Sequence, residues 1–265
     1  MKNQNDAANN KPMKKVTTKP ARVAIRKLPT GVRGLDEIMG GGIPEFSFNI
    51  IAGTPGCGKT TMAHQLVFAN ATVKKPALYF TVLGESAIKM LRYQQQFSFF
   101  DEAKLGKAIR FINLSEVVLG KDLNAVLNEI VKQVTTIQPG LVVVDSFRTV
   151  VRTALAGSSE IEMQSFIQRL AQFLTSWEAT TFLVGEYAQD EIRDNPLFTI
   201  VDGLFWLSQV PERNSVVRKL QIMKLREKAC NPASLMRSVC NPGTDACPRS
   251  FMICNFRTTE FLSGT

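Results

Sequence analysis

From residue 28 onward the chain alternates two patterns of apolar residues. Apolar, strand-like runs occupy 46–52, 77–82, 109–114, 141–145, 180–185 and 203–208; several are nearly continuous, which predicts strands buried on both faces. Between them, segments 60–71, 88–97, 123–134 and 161–177 carry apolar residues at helical spacing. In the last of these, Ile161, Phe166, Leu170, Phe173, Leu174 and Trp177 form one stripe, expected to pack in the core. The alternation predicts a three-layer α/β domain, a mostly parallel central sheet flanked by helices. A polar turn over 211–215 and a further strand pattern over 216–225 predict a C-terminal antiparallel hairpin at the sheet edge. From residue 229 the pattern becomes irregular, with Asn231-Pro232, Asn241-Pro242-Gly243 and four cysteines.

Composition sharpens the boundaries. Residues 1–27 hold eight Lys and Arg against Asp6, so +7 of the formal +9 lies there and only +2 belongs to the other 238 residues. That tail is poor in large apolar groups and reads as a disordered, basic leader. The expected organisation is a basic tail over 1–27, one globular domain over 28–228 and an atypical Cys-containing segment over 229–265. With the basic excess confined to the tail, a nucleic-acid partner is the less favoured reading. No apolar run reaches the roughly 20 residues that span a bilayer. The N-terminus has no apolar secretory stretch, so a cytoplasmic protein without a membrane partner is expected. The five cysteines are odd in number, and Cys230, Cys240, Cys247 and Cys254 fit no zinc spacing well, so reduced thiols are expected.

The candidate chemistry begins with Gly53-Thr54-Pro55-Gly56-Cys57-Gly58-Lys59-Thr60-Thr61, which follows one predicted strand and opens a predicted helix. Strand, G-x-x-x-x-G-K-[ST], then helix is the context of a phosphate-binding loop. Its glycines let backbone N–H groups turn toward phosphates, and the helix N-terminus adds free N–H groups and partial positive charge. Lys59 reaches the β- and γ-phosphates, and the Thr60 hydroxyl joins a Mg²⁺ shell. A nucleoside triphosphate is therefore the expected ligand. Asp145 ends a strand of four apolar residues, on the edge where ligands of open α/β sheets collect, and is the expected second metal residue. Glu85, just beyond the 77–82 strand, is the candidate to polarise attacking water. Glu186, after the 180–185 strand, is a candidate sensor of phosphate or metal. His64, the single histidine, reads as a packed helix residue rather than a general base.

Several stretches together resemble the KaiC-like branch of the RecA-type ATPases. They are the leader Thr30-Gly31-Val32-Arg33-Gly34-Leu35-Asp36 through Gly40-Gly41-Gly42-Ile43-Pro44, the loop itself, Tyr79-Phe80-Thr81, Glu85-Ser86, Asp145-Ser146 and Lys224-Leu225-Arg226. The resemblance covers residues 28–228. It implies a RecA-type P-loop fold, ATP with Mg²⁺ as the ligand pair, and a homo-oligomeric ring, commonly a hexamer, with ATP between subunits. It implies that Lys224 and Arg226 point across the interface at a neighbour's phosphates; read alone, they are an exposed basic face of an edge strand. The chain departs from the family in having one such domain where the clock proteins have two. Gly84 stands before Glu85 where paired glutamates are common, which implies slow or altered hydrolysis. Phe198-Thr199 replaces a Ser-Thr phosphoacceptor pair, leaving Thr199 as the candidate acceptor for self-phosphorylation. The functions to be distinguished are a slowly hydrolysing ring ATPase with a regulatory role toward an unidentified protein partner, a DNA recombination or helicase-type motor, and a nucleotide-gated regulator that does not hydrolyse.

Overall fold

A computed structural model describes residues 25–82, 87–120, 122–154, 160–212, 215–226 and 252–256. The first elements form a small buttress. Strand β1 (Lys27–Leu28) pairs antiparallel with β2 (Ile43–Pro44), and helix α1 (Leu35–Met39) lies between them in sequence. Gly42 has φ 113 and a Cβ there would sit 2.2 Å from the Leu28 carbonyl oxygen, so the close return of this leader requires glycine. Val32, Leu35, Met39 and Ile43 bury the leader's apolar side.

Strand β3 (Phe48–Gly53) then enters the main sheet and runs directly into helix α2 (Lys59–Asn70) through the glycine loop. The leader braces that helix: Gln65 Nε2 donates to the Gly31 carbonyl at 2.6 Å and Asn70 Nδ2 to that of Pro29 at 2.8 Å. There follow β4 (Ala77–Thr81), α3 (Ala87–Gln94), β5 (Ile109–Asn113), α4 (Ser115–Leu119), α5 (Leu123–Ile137), β6 (Leu141–Asp145), α6 (Phe147–Ala154), α7 (Glu160–Ser176) and β7 (Thr180–Glu186). Two short helices, α8 (Glu191–Asp194) and α9 (Pro196–Ile200), lead into β8 (Gly203–Glu212), β9 (Ser215–Leu225) and β10 (Met252–Phe256).

The eight strands are ordered β10-β9-β8-β3-β7-β6-β4-β5. From β8 to β5 all neighbours are parallel; β8–β9 and β9–β10 are antiparallel. Strand residues alternate between two apolar layers, as the two-residue period of a strand requires. Ile51, Tyr79 and Val143 face α1 and α2, whereas Ile50, Ala52, Phe80 and Val144 face α5, α7 and their neighbours. Covering both faces explains why these strands read as unbroken apolar runs. The expected α/β architecture and the hairpin are thus present. Among the described residues no helix is long and apolar enough to cross a membrane.

Four sequence expectations need correction. Phe46 is not in the first predicted strand; it has φ 64, is 36% exposed, and β3 starts at Phe48. The predicted core stripe of α7 fails at both ends: Ile161 is 77% and Trp177 37% exposed. The buried face is Phe166, Ile167, Leu170 and Leu174, with Met163 packed against the same core; at about 100° per residue Ile161 falls on the opposite side of the helix, and Trp177 follows its last residue, Ser176. Strand β8 runs to Glu212 rather than stopping at 208. Within the segment expected to be irregular, residues 252–256 add strand β10 to β9.

Candidate functional site

Strand β3 is buried throughout and ends at Gly53, whose φ is 144 and where a Cβ would meet the Leu207 carbonyl oxygen at 1.9 Å. Only glycine fits so close to the neighbouring strand β8. The chain then curls through Thr54, Pro55, Gly56 and Cys57 to Gly58, which caps α2 in the left-handed region with φ 99 and no side-chain cap. The first amides of α2 therefore have no side-chain acceptor, and an anion is the partner that suits them. Lys59, 7% exposed, donates from Nζ to the Thr54 carbonyl at 2.7 Å and lies 4.0 Å from a Glu186 carboxylate oxygen. Cys57 is fully buried with its Sγ 3.8 Å from the same ammonium; burial pushes its thiol pKa up, against the pull of Lys59.

Strands β4 and β6 bring a second group to this edge. Asp145, 6% exposed, accepts on Oδ2 from the Thr60 hydroxyl at 2.8 Å and from the Tyr79 hydroxyl at 2.8 Å. Burial pushes the Asp145 carboxyl up, while those two hydrogen bonds and the charge of Lys59 favour the ionised form. Among the described residues no group of three His, Cys, Asp or Glu could hold a metal. A hydroxyl and one carboxylate beside a phosphate loop nevertheless suit Mg²⁺, which takes one or two protein oxygens and fills its shell from phosphate and water.

Lys59, Thr60 and Asp145 line a cleft of about 510 Å³ together with Thr61, Glu186, Phe97 and Arg218. No sequence motif marks Arg218. It lies on β9 opposite Gln209 of β8, and Gln209 Nε2 donates to the Gly56 carbonyl. The Arg218 Nε is buried without a hydrogen-bond partner, within 4 Å of where a Cβ on Gly58 would be. Strand β9 also carries Lys219, Gln221 and Lys224, so nothing in its pattern sets Arg218 apart; its place beside the loop follows from β9 pairing with β8 and β8 with β3.

The structure does not bring every predicted residue to the cleft. Lys224 pairs with Leu204 near the start of β8, six residues along β9 from Arg218. At a strand rise of ~3.3 Å per residue the two cations are about 20 Å apart, at opposite edges of the sheet. At that far edge Lys224 Nζ donates to the carbonyls of Phe198 at 3.3 Å and Thr199 at 2.8 Å. Burial pushes the Lys224 ammonium pKa down, with Arg226 adding to the effect. Arg226 pairs with Asp202 at 2.6 Å. Thr199 is exposed on α9 beside them. Glu85, with Gly84, lies outside the described residues. His64 is fully buried, stacks on Tyr79 at 4.5 Å between ring centroids, and has its pKa held down to about 3 by burial, so it packs as expected.

Comparison with known proteins gives a consistent result. The family profile described as ATPase: KaiC matches residues 28–243, fifteen residues beyond the boundary expected from the sequence. The DNA repair protein RadA of Mycobacterium tuberculosis is 29% identical over 205 residues, covering 76% of this chain and 39% of that protein. The circadian clock oscillator protein KaiC of Thermosynechococcus vestitus is 26% identical over 219 residues, covering 79% of this chain and 42% of that protein. The chain thus spans less than half the length of these two curated relatives. The crystal structure of a KaiC-like protein from Pyrococcus horikoshii superimposes with a TM-score of 0.65 at 25% identity, covering 77% of this chain and 90% of that one.

Proposed function

The chain belongs to the KaiC family of ATPases, and from that premise we propose that it binds ATP with Mg²⁺ and hydrolyses it slowly at sites shared between neighbouring copies in a ring. The observation that carries this reading is the separation of the cations: Lys59 and Arg218 border the cleft, whereas Lys224 and Arg226 occupy the other edge of the same sheet. A single chain cannot apply both pairs to one nucleotide, but two copies stacked edge to edge can.

In this reading the loop amides from Gly56 to Thr61 and Lys59 hold the phosphates, and Arg218 adds an own-subunit cation. Thr60 and Asp145 would hold Mg²⁺, which when bound neutralises charge on the β- and γ-phosphate oxygens. Glu85 orients the attacking water and Glu186 senses the phosphate end. Lys224 and Arg226 serve the neighbouring subunit's ATP, stabilising charge on the transferring phosphoryl group. Gly84 in place of a second carboxylate is the reason for slow turnover. Nucleotide state then alters subunit contacts, and the protein acts as a regulator of an unidentified protein partner.

The test is the mass of the particle by light scattering with and without ATP·Mg²⁺, together with turnover of the wild type, Lys59→Ala and Glu85→Gln. A nucleotide-dependent ring and loss of turnover in both variants are expected. A monomer under all conditions, or wild-type turnover in both variants, overturns it. Micromolar ATP affinity with negligible turnover selects the non-hydrolysing regulator instead. A DNA-directed motor is the second reading, favoured by the match to RadA. Salt-dependent binding of single-stranded DNA that is lost on removing residues 1–27 would select it.

A further inference from the structure

The buried side of the cleft holds a contact that the loop motif does not require. Tyr79 is fully buried and its ring lies in an aromatic cluster, parallel to His64 of α2 at 4.5 Å and 14°, and tilted against Phe111 of β5 at 5.3 Å. In the β4–β6 register Tyr79 is opposite Val143, and Thr81 is opposite Asp145. Tyr79 therefore meets Asp145 on the diagonal of one face of the sheet, a gap that its long side chain bridges. Its hydroxyl ends 2.8 Å from Asp145 Oδ2, the same oxygen that takes the Thr60 hydroxyl. Oδ1 is engaged by neither of them.

A phenylalanine would fill the ring's place and keep the stack. A buried hydroxyl is costly unless it is hydrogen-bonded, so its presence here is tied to the carboxylate it meets. The two donors also differ in what carries them. Thr60 stands in the first turn of α2, on the loop that handles the nucleotide, whereas Tyr79 stands in the middle of the sheet, clamped by two rings. Because both hydroxyls meet on Oδ2, turning the carboxylate breaks two hydrogen bonds at once.

We propose that Tyr79 is a positioning residue that locks the Asp145 carboxylate to the sheet, so that Oδ1 is kept for the divalent cation and the Mg²⁺ dependence of nucleotide binding rests on the Tyr79 hydroxyl. The inference depends on the reading of the loop and Asp145 as an ATP·Mg²⁺ site. It makes the sheet, rather than the loop, the reference against which the cation is placed.

The test is titration of the full chain with the fluorescent nucleotide mant-ATP across a range of Mg²⁺ concentrations, using Tyr79→Phe. The expected result is an unchanged affinity without Mg²⁺ and a rise of about fivefold in the Mg²⁺ concentration needed for half-maximal tightening, as loss of one hydrogen bond of ~1 kcal/mol implies. Tyr79→4-aminophenylalanine, which keeps the ring and an N–H donor, should restore most of the response. In an Asp145→Asn background Tyr79→Phe should add no further loss, because the hydroxyl acts through that carboxylate. Wild-type Mg²⁺ dependence in Tyr79→Phe, an undiminished shift in the Asp145→Asn background, or equal loss of affinity with and without Mg²⁺ overturns the inference. A wild-type chain that does not bind mant-ATP, or a Lys59→Ala variant that binds it as tightly, overturns the reading of the site instead.

Discussion

Thr60 and Asp145, 85 residues apart in the chain, meet hydroxyl to carboxylate at 2.8 Å. The contact joins the first turn of the loop helix to the end of a central strand, so the two groups suited to a cation are preassembled. Thr60→Ala should weaken Mg²⁺-dependent nucleotide binding about tenfold, with Thr60→Ser close to wild type. Calorimetric titration with ATP at fixed Mg²⁺ measures this; equal affinity in all three chains would remove Thr60 from the site.

Gly53 is the tightest point of the sheet, with the Leu207 carbonyl 1.9 Å from where a Cβ would sit. Gly53→Ala must separate β3 from β8 or strain the backbone at φ 144. A loss of more than about 3 kcal/mol is expected in denaturant unfolding; Gly106→Ala, whose Cβ would meet nothing within 4 Å, should cost only the ~1–2 kcal/mol of a side chain held at φ 71.

Arg218 offers the cleft a cation whose Nε has no partner. Arg218→Ala should raise the ATP dissociation constant roughly tenfold or more, as loss of a charge-assisted hydrogen bond implies, and Arg218→Lys should recover part of it. The fold should be intact, because Gln209 still reaches the Gly56 carbonyl. Unchanged affinity in Arg218→Ala would exclude a phosphate role.

Acid stability isolates His64. Burial holds its pKa down from 6.5 to about 3, so the folded chain keeps it neutral while the unfolded chain binds a proton below about 6.5. The unfolded state therefore binds more protons in that window, and stability falls as pH drops from 6.5 toward 3. The loss from this group is about 2 kcal/mol at pH 5. His64→Phe removes it and two unpartnered nitrogens, Nδ1 and Nε2. The stability difference between variant and wild type should widen by about 2 kcal/mol from pH 7 to pH 5; the Asp145 carboxyl titrates in both chains and largely cancels. A pH-independent difference would show that His64 is not held neutral.

The proposed sharing of sites between copies has a signature in mixtures. Lys59→Ala and Arg226→Ala should each be inactive alone, yet mixing them should restore part of the ATPase rate, because some interfaces then combine an intact loop with an intact Arg226. Arg226 is 71% exposed at its pair with Asp202, so its loss should change stability by no more than about 1 kcal/mol. No recovery on mixing subunits that do exchange would place Arg226 outside the composite site.

The sequence made β3, the loop, α2 and β6 legible because each carries its pattern within one short segment: continuous apolar residues for a doubly covered strand, and glycines where the backbone leaves the right-handed region. Lys59, Thr60 and Asp145 followed from those segments. Tyr79 and Arg218 did not, because both act across strand pairs. Only the order β9-β8-β3-β7-β6-β4 puts Arg218 by the loop and Tyr79 beside Asp145. Helical spacing likewise marks α7 but not its face and limit: Ile161 stands five residues before Phe166, out of phase with the buried side, and Trp177 lies past the last turn.

The Lys59 ammonium already rests on the Thr54 carbonyl at 2.7 Å and is nearly closed off from solvent. Nucleotide entry at this ammonium is consequently a ligand exchange, one oxygen replacing another. Little side-chain freedom remains to be lost, so the strength of binding reflects how much better a phosphate oxygen is than an amide oxygen as a partner for a fixed cation.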